Sequence, residues 1–318
     1  MELFRNANID WLGRKWYFLS FSLVFSVAGV LSMLFWHGIP RGIDFKGGTE
    51  VQVQFATKPN EDHIRQALSS AGIKDVPVHA ISDATGQSAN MEVISLPQTA
   101  SETAHDVGRQ EIEDALNANF HDSAFTIQRV DIVGPTAGKQ LQKQAWLATG
   151  YSLLGMLVYL WFRFELIYGV AAVVAVFHDT LITVGAFSLT NQEITLTVIA
   201  AILTLIGYSM NDTIVVFDRI RENLALSRRE ALTDVVNRSI NQTLSRTVIS
   251  SGLTFLTVLS LLLFGGPVLR GFSFALTVGI VIGTYSSIAV AAPMLVAYQD
   301  WRKSRGKVIN LPAKRARA

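Results

Sequence analysis

Trp16 to Trp36 is a run of 21 residues without one charged side chain, and five more runs of similar character follow it. In hydrocarbon a backbone must satisfy its own polar groups, so runs of this length are confined to membrane-spanning helices. They fall at residues 16–36, 145–162, 166–190, 194–217, 247–264 and 271–298. Only 16% of the 318 residues are charged, where soluble domains carry about a quarter. Mean hydropathy is +0.33. The first run is longer than the core of a secretion signal, roughly 7 to 15 residues, and no small-x-small cleavage site follows it, so it reads as the first span.

Lys and Arg near the span ends set orientation. Arg5, Arg14 and Lys15 precede span one, Arg163 separates spans two and three, and Arg219, Arg221, Arg228, Arg229 and Arg238 lie between spans four and five. The 299–318 tail is basic as well. The other side holds short loops around Glu193 and Arg270 and one long segment with 14 acidic against 9 basic residues over 37–143. Both termini, residues 1–15 and 299–318, are therefore expected in the cytoplasm. The net charge of +2 is too small to argue for nucleic acid, and the lack of cysteine excludes disulfides and thiolate metal sites.

Residues 37–144 read as a folded domain. Val51, Val53 and Phe55 alternate with polar residues over 50–56, and similar strands are predicted at 76–81, 91–96 and 125–133, the third strand following a turn-rich stretch at 83–90. Asn60 caps a predicted helix with Ile64, Ala67, Leu68 and Ala71 on one face and Gly72 as its stop, and Ser101 begins a second helix. The order β-α-β-β-α-β is the ferredoxin-like pattern. Ahead of the first strand, GIDFKGGTE contains Asp44, Gly47 and Gly48, predicted to form a tight bend where chain leaving the membrane enters the sheet. The expected fold is an α-helical polytopic membrane protein with six transmembrane helices and one α+β domain between the first two.

Span four contains SMNDTIVVFDRIREN, which places Asn211 and Asp212 in an apolar run. A charged Asp at the centre of a lipid-embedded helix costs roughly 2.5 to 3.5 kcal/mol, so an acid there is a functional hypothesis by default. At 100° per residue Thr197, Ala201, Thr204, Tyr208, Asn211, Asp212, Val215 and Arg219 share about a third of the circumference, a face expected to meet protein or water. Asp212 is expected roughly 9 Å above the cytoplasmic end of the span. Arg246, entering span five, either reaches Asp212 or extends to the interface. Asp179, beside His178 in span three, either relays protons or is structurally hydrogen-bonded. Asp218 and Arg219 read as an interfacial anchor, residues 218–246 as an amphipathic segment on the cytoplasmic surface among membrane lipids, and Gly279, Gly283, Ser287 and Ala291 as a packing stripe.

These motifs, GIDFKGG, VFHD, GYSMNDTIVVFDRIREN and NQTLSRT, resemble those of the SecF proteins of the SecD/SecF family in bacterial protein export. The resemblance covers essentially the whole chain. It implies a subunit in the bacterial inner membrane that, with SecD, uses the proton-motive force to complete movement of unfolded preprotein through the SecYEG channel. YajC is a further partner it implies. The six spans would form half of a resistance-nodulation-division (RND) transporter, the domain would be periplasmic, Asp212 and Arg246 would serve proton transport with Asn211 beside them, and no cofactor beyond protons is expected. Asp179, Tyr208 and Thr204 would relay protons or support the site. An exporter of lipids or small molecules would need a second six-span half. An intramembrane aspartyl protease would need its acids paired, whereas the depths of Asp179 and Asp212 are expected to differ by about 9 Å. The sequence holds no Walker motif, so ATP hydrolysis is not expected.

Overall fold

A computed structural model describes residues 7–73, 76–81, 90–96, 107–120, 125–164, 166–227 and 230–305. Six of its helices are long and apolar enough to cross a membrane. Helix α1 (Lys15–Leu31) continues as a π turn to Trp36, and α2 (Ile43–Lys46) leads into the folded domain. After the domain come α5 (Pro135–Arg163), α6 (Leu166–Leu189), α7 (Leu196–Leu226), α8 (Leu232–Phe264), α9 (Gly266–Ser286) and α10 (Ala292–Ser304). A π turn, Ser287–Ala291, joins α9 to α10 into one span. Pro293 explains that turn, because proline lacks the N–H and its ring clashes with the carbonyl four residues back.

Helices α6, α7 and α9 form the centre and share one apolar core that includes Phe187, Leu205 and Leu276. Helices α1 and α5 lie outside and expose Trp16, Phe35, Trp146 and Phe162, side chains that suit a lipid boundary. The packing stripe operates as expected. A Cβ built on Gly279 would lie 2.4 Å from the Leu205 side chain, and one on Gly283 3.0 Å from the Ser209 Cβ, so α9 meets α7 at nearly backbone distance. A second close approach joins α1 to α6, where a Cβ on Gly185 would lie 2.7 Å from the Gly29 Cα. Gly185→Leu is therefore expected to displace α1 and cost about 1 to 3 kcal/mol. A thermal midpoint in mild detergent equal to the parent's would show that α1 is not seated there.

The domain is built from β1 (Gly48–Phe55), α3 (Glu61–Ser70), β2 (Val78–Ile81), β3 (Met91–Leu96), α4 (Val107–Asn119) and β4 (Phe125–Val133). The sheet order is β2-β3-β1-β4 with every neighbouring pair antiparallel, the ferredoxin-like arrangement. Val51, Val53, Phe55 and Ile94 on the sheet meet Ile64, Leu68, Ile112 and Leu116 on the helices. Asn60 accepts from the Asp62 amide, and Gly72 ends the turn at φ +87. The predicted helix start at 101–106, the turn at 83–89, Arg228, Arg229 and the tail from 306 lie outside the described residues.

Glu92 sits in this domain at 2% exposure, with one carboxylate oxygen lacking a hydrogen-bond partner. Burial, and then the nearby Glu61, push its carboxyl up to about 7. The folded state thus holds a proton that the unfolded chain has already released, and stability falls as pH rises from about 5 through 7. We expect a lower thermal midpoint at pH 8 than at pH 5, by the equivalent of about 2 kcal/mol, and a flatter profile for Glu92→Gln. An unchanged slope in that variant would assign the effect elsewhere.

The expectation for residues 218–246 needs correction. Among the described residues no separate helix lies between spans four and five; α7 runs on to Leu226 and α8 starts at Leu232. Charged residues do not stop a helix when they pair along it, as Arg219 does with Glu222 at 2.8 Å and Arg221 with Asp218 at 3.8 Å. Val235 and Val236 are buried, and Asn223 donates to Ser239 and Gln242, so the two extensions form a packed hairpin. Likewise α5 begins at Pro135, nearly three turns before the apolar run of span two.

Candidate functional site

Two acids are enclosed within the helical core. Asp212 on α7 is 2% exposed and accepts a hydrogen bond from Ser251 Oγ on α8 at 2.6 Å. The Thr284 side chain of α9 lies beside the same carboxyl. Ser251 ends a series, Ser239, Thr243, Thr247 and Ser251, in which every member is buried and separated by four residues. That spacing holds a line of small hydroxyl side chains on one face of α8.

Asp179 on α6 is 1% exposed and binds three partners. Ser209 Oγ of α7 donates at 2.6 Å, Ser286 Oγ of α9 donates at 2.8 Å, and His178 Nδ1 lies at 2.9 Å. It therefore ties the three central helices together. The Nε2 of His178 is buried without a partner among the described residues. Because Asp179 contacts Ser209, it sits about 4.5 Å from the level of Asp212 along α7, nearer than the 9 Å expected. Side-chain reach and helix inclination, which a count of residues omits, account for the difference. Among the described residues the two acids have no hydrogen-bond partner in common, and each is bonded to its own set of hydroxyls.

Of the two alternatives open for Arg246, the structure shows no direct ion pair with Asp212. It is exposed, and among the described residues no salt bridge joins the two within 4.0 Å, although its charge is near enough to act on the Asp212 carboxyl. Arg246 precedes Ser251 by five residues, which rotates it about 140° away from the face of α8 that meets Asp212. Asn211 and Thr204 are exposed on α7, and the Thr204 hydroxyl donates to the Ala200 carbonyl at 2.9 Å. Tyr208 is half-buried. The polar third of span four thus divides, with Asp212 turned inward and Thr197, Thr204 and Asn211 outward beside Ala200 and Gly207. Asp218 pairs with Arg163 at 2.8 Å, both partly exposed.

At the far end of α7, Asp44, Gly47 and Gly48 lie where the domain meets the spans. Asp44 Oδ2 accepts from the Leu196 amide at 2.7 Å. Glu193, in the loop before α7, has its carboxyl pushed up to about 7 by burial and then by Glu50, with Lys46 opposing. Sequence reasoning did not single out Ser209, Ser251, Ser286 or Glu193. Serines in apolar helices have no signature apart from their position against an acid; only the four-residue hydroxyl spacing on α8 was open to view.

The family description "Protein export membrane protein SecD/SecF, C-terminal" matches residues 112–301, and "SecD/SecF GG Motif" matches residues 35–58. The protein translocase subunit SecF of Koribacter versatilis is 53% identical, with 96% of this chain and 95% of that protein covered. The SecF subunit of Calditerrivibrio nitroreducens is 41% identical over 95% of this chain and 98% of its own. Among solved structures, SecDF of Thermus thermophilus, a translocon-associated membrane protein, superposes with a TM-score of 0.82 at 36% identity over 94% of this chain. This chain spans only 40% of that SecDF chain. The enclosed acids, the domain between the first two spans and these matches lead to one conclusion: this multi-pass membrane chain belongs to the SecF protein translocase subunits of the SecD/SecF export family.

Proposed function

We propose that this chain is the SecF subunit of a bacterial Sec translocase, which with SecD draws on the proton-motive force to move preprotein on the periplasmic side of the inner membrane. The observation that carries the reading is Asp212, enclosed at 2% exposure and held by a neutral serine hydroxyl, with no salt bridge to a cation within 4.0 Å among the described residues. A carboxyl in that setting changes its charge when a cation or water reaches it, and the helices must rearrange to allow this. Protons are then the coupling ion, and Asp212 holds them. Arg246 is the cation available to approach when α8 turns or α7 slides.

The basic residues Arg163, Arg219, Arg221 and Arg238 share one end of the bundle, which supports a cytoplasmic location for that end and for both termini. The α+β domain is then periplasmic. The outward stripe of Thr197, Ala200, Thr204, Gly207 and Asn211 suits a partner helix better than lipid, and SecD is the partner that supplies the second set of spans. SecYEG is the channel this pair serves. In membrane vesicles lacking their own SecF, adding this chain with SecD is expected to speed completion of preprotein export several-fold when a proton gradient is imposed. An ionophore should remove the gain. Equal rates with and without the gradient would sink the proposal.

A further inference from the structure

The geometry points to Asp44 as a positioning residue that yokes helix α7 to the periplasmic domain, so that movement of α7 around Asp212 is delivered to strand β1. The inference rests on the proton-coupled reading above and adds the route by which force leaves the membrane. Helix α7 lacks a cap of its own, since the Thr195 side chain makes no capping bond and its hydroxyl pairs with Thr197 at 2.8 Å. The free amide of Leu196 is instead bonded by Asp44, 152 positions earlier in the chain. A carboxylate at a helix N-terminus makes a charge-assisted bond and opposes the positive end of the helix dipole.

Two backbone bonds reinforce the contact. Gly42 N donates to the Ile194 carbonyl at 2.9 Å, and Ile194 N donates to the Pro40 carbonyl at 2.7 Å, which makes a short parallel bridge between the two segments. Asp44 lies in α2, a helix of only four residues whose C-cap is Gly47, and β1 begins at Gly48. Gly47 has φ +74, and a Cβ there would fall 2.9 Å from the Pro135 Cα at the start of α5. Gly138 is equally confined, its built Cβ 3.2 Å from the Gly47 amide. Residues 40–48 are thus wedged against the first turns of α5 and α7, and both covalent links between the domain and the membrane, α2 to β1 and β4 to α5, pass through this one point. There is little slack between α7 and the sheet.

The chain has no cysteine, so an engineered pair gives a clean test. A Cβ on Gly42 would lie 3.1 Å from the Thr195 methyl carbon. That is close enough for cysteines to approach the Cβ separation of a disulfide, about 3.5 to 4.5 Å. In vesicles containing this chain with its SecD partner, Asp44→Ala is expected to slow gradient-stimulated export about tenfold, while Asp44→Asn, which keeps the acceptor, retains at least about half. Adding Gly42→Cys and Thr195→Cys to the Asp44→Ala chain should restore stimulation on oxidation, and reductant should remove it again. A purely structural role for Asp44 would not give that reversible rescue. The inference is overturned if the oxidised triple variant stays slow, if the oxidised cysteine pair blocks the otherwise unchanged chain, or if the pair fails to cross-link. Asp212→Asn reports on the other reading: it should stay inactive under oxidation, and normal export by that variant would remove the proton role while leaving the junction to be judged by the disulfide.

Discussion

Asp212→Asn is expected to abolish the gradient-stimulated component of export and to leave insertion, folding and gradient-independent export unchanged. Asn has the same shape and keeps an oxygen that can accept from Ser251 Oγ, whose bond to Asp212 is 2.6 Å long, so the α7–α8 contact survives. What it loses is the ability to bind and release a proton. One proton moving through 100 mV yields about 2.3 kcal/mol, equivalent to a factor of about 50 in a two-state equilibrium. The loss in stimulated rate is thus expected to approach that size, and the rate of the variant to be insensitive to the direction of the imposed gradient. Rates measured in vesicles with the gradient imposed, collapsed and reversed decide the matter. An Asn variant that still responds to the gradient would move proton binding to another residue.

The second large effect is on stability. Asp179→Leu removes the acceptor for Ser209 and Ser286 and the partner of His178 Nδ1, all within a site that is 1% exposed. Ser209 loses the one hydrogen bond that its hydroxyl makes among the described residues, whereas Ser286 keeps one to the Gly283 carbonyl at 3.2 Å. Stranding buried donors costs about 1 to 3 kcal/mol each, so a loss of about 3 kcal/mol or more is expected, with a midpoint several degrees lower in detergent. Asp179→Asn keeps one acceptor oxygen and should recover part of the loss. A Leu variant as stable as the parent would mean that close packing at Gly279 and Gly283 alone holds α7 against α9. The two variants are therefore expected to fail in different assays, Asp212→Asn in gradient-stimulated export and Asp179→Leu in thermal stability.

The spans were legible because hydrocarbon allows almost no alternative to helix, and an uncharged run of 21 residues such as Trp16–Trp36 states its structure by length alone. The four strands were legible because a sheet with one buried face imposes a period of two, visible at Val51, Val53 and Phe55. Extent was less so. Residues 218–246 looked like a surface helix because their charges suggested an edge, whereas tertiary contacts of Val235, Val236 and Asn223 carried both helices past it.

Asp212 was conspicuous from the start, since an acid in an apolar run has few reasons to be there. Its partner was not. Arg246, at the entry to span five, was the plausible partner, yet helix rotation turns it off the face of α8 that meets Asp212 and brings Ser251 there instead. No local pattern marks a serine as the partner of an acid 39 positions earlier. The cap that Asp44 places on α7 spans 152 positions and was equally invisible.

The sequence by itself determined the six spans, the ferredoxin-like order of the domain and the presence of an acid inside the apolar run of span four. All of these follow from local periodicity or from the cost of charge in hydrocarbon, which act residue by residue. Only the tertiary structure decided that Asp212 meets Ser251, that Asp179 joins α6, α7 and α9, and that α7 is held to the domain through Asp44. Those contacts depend on how helices are rotated and inclined against one another, and that is set by close packing at sites such as Gly29 with Gly185 and Gly283 with Ser209.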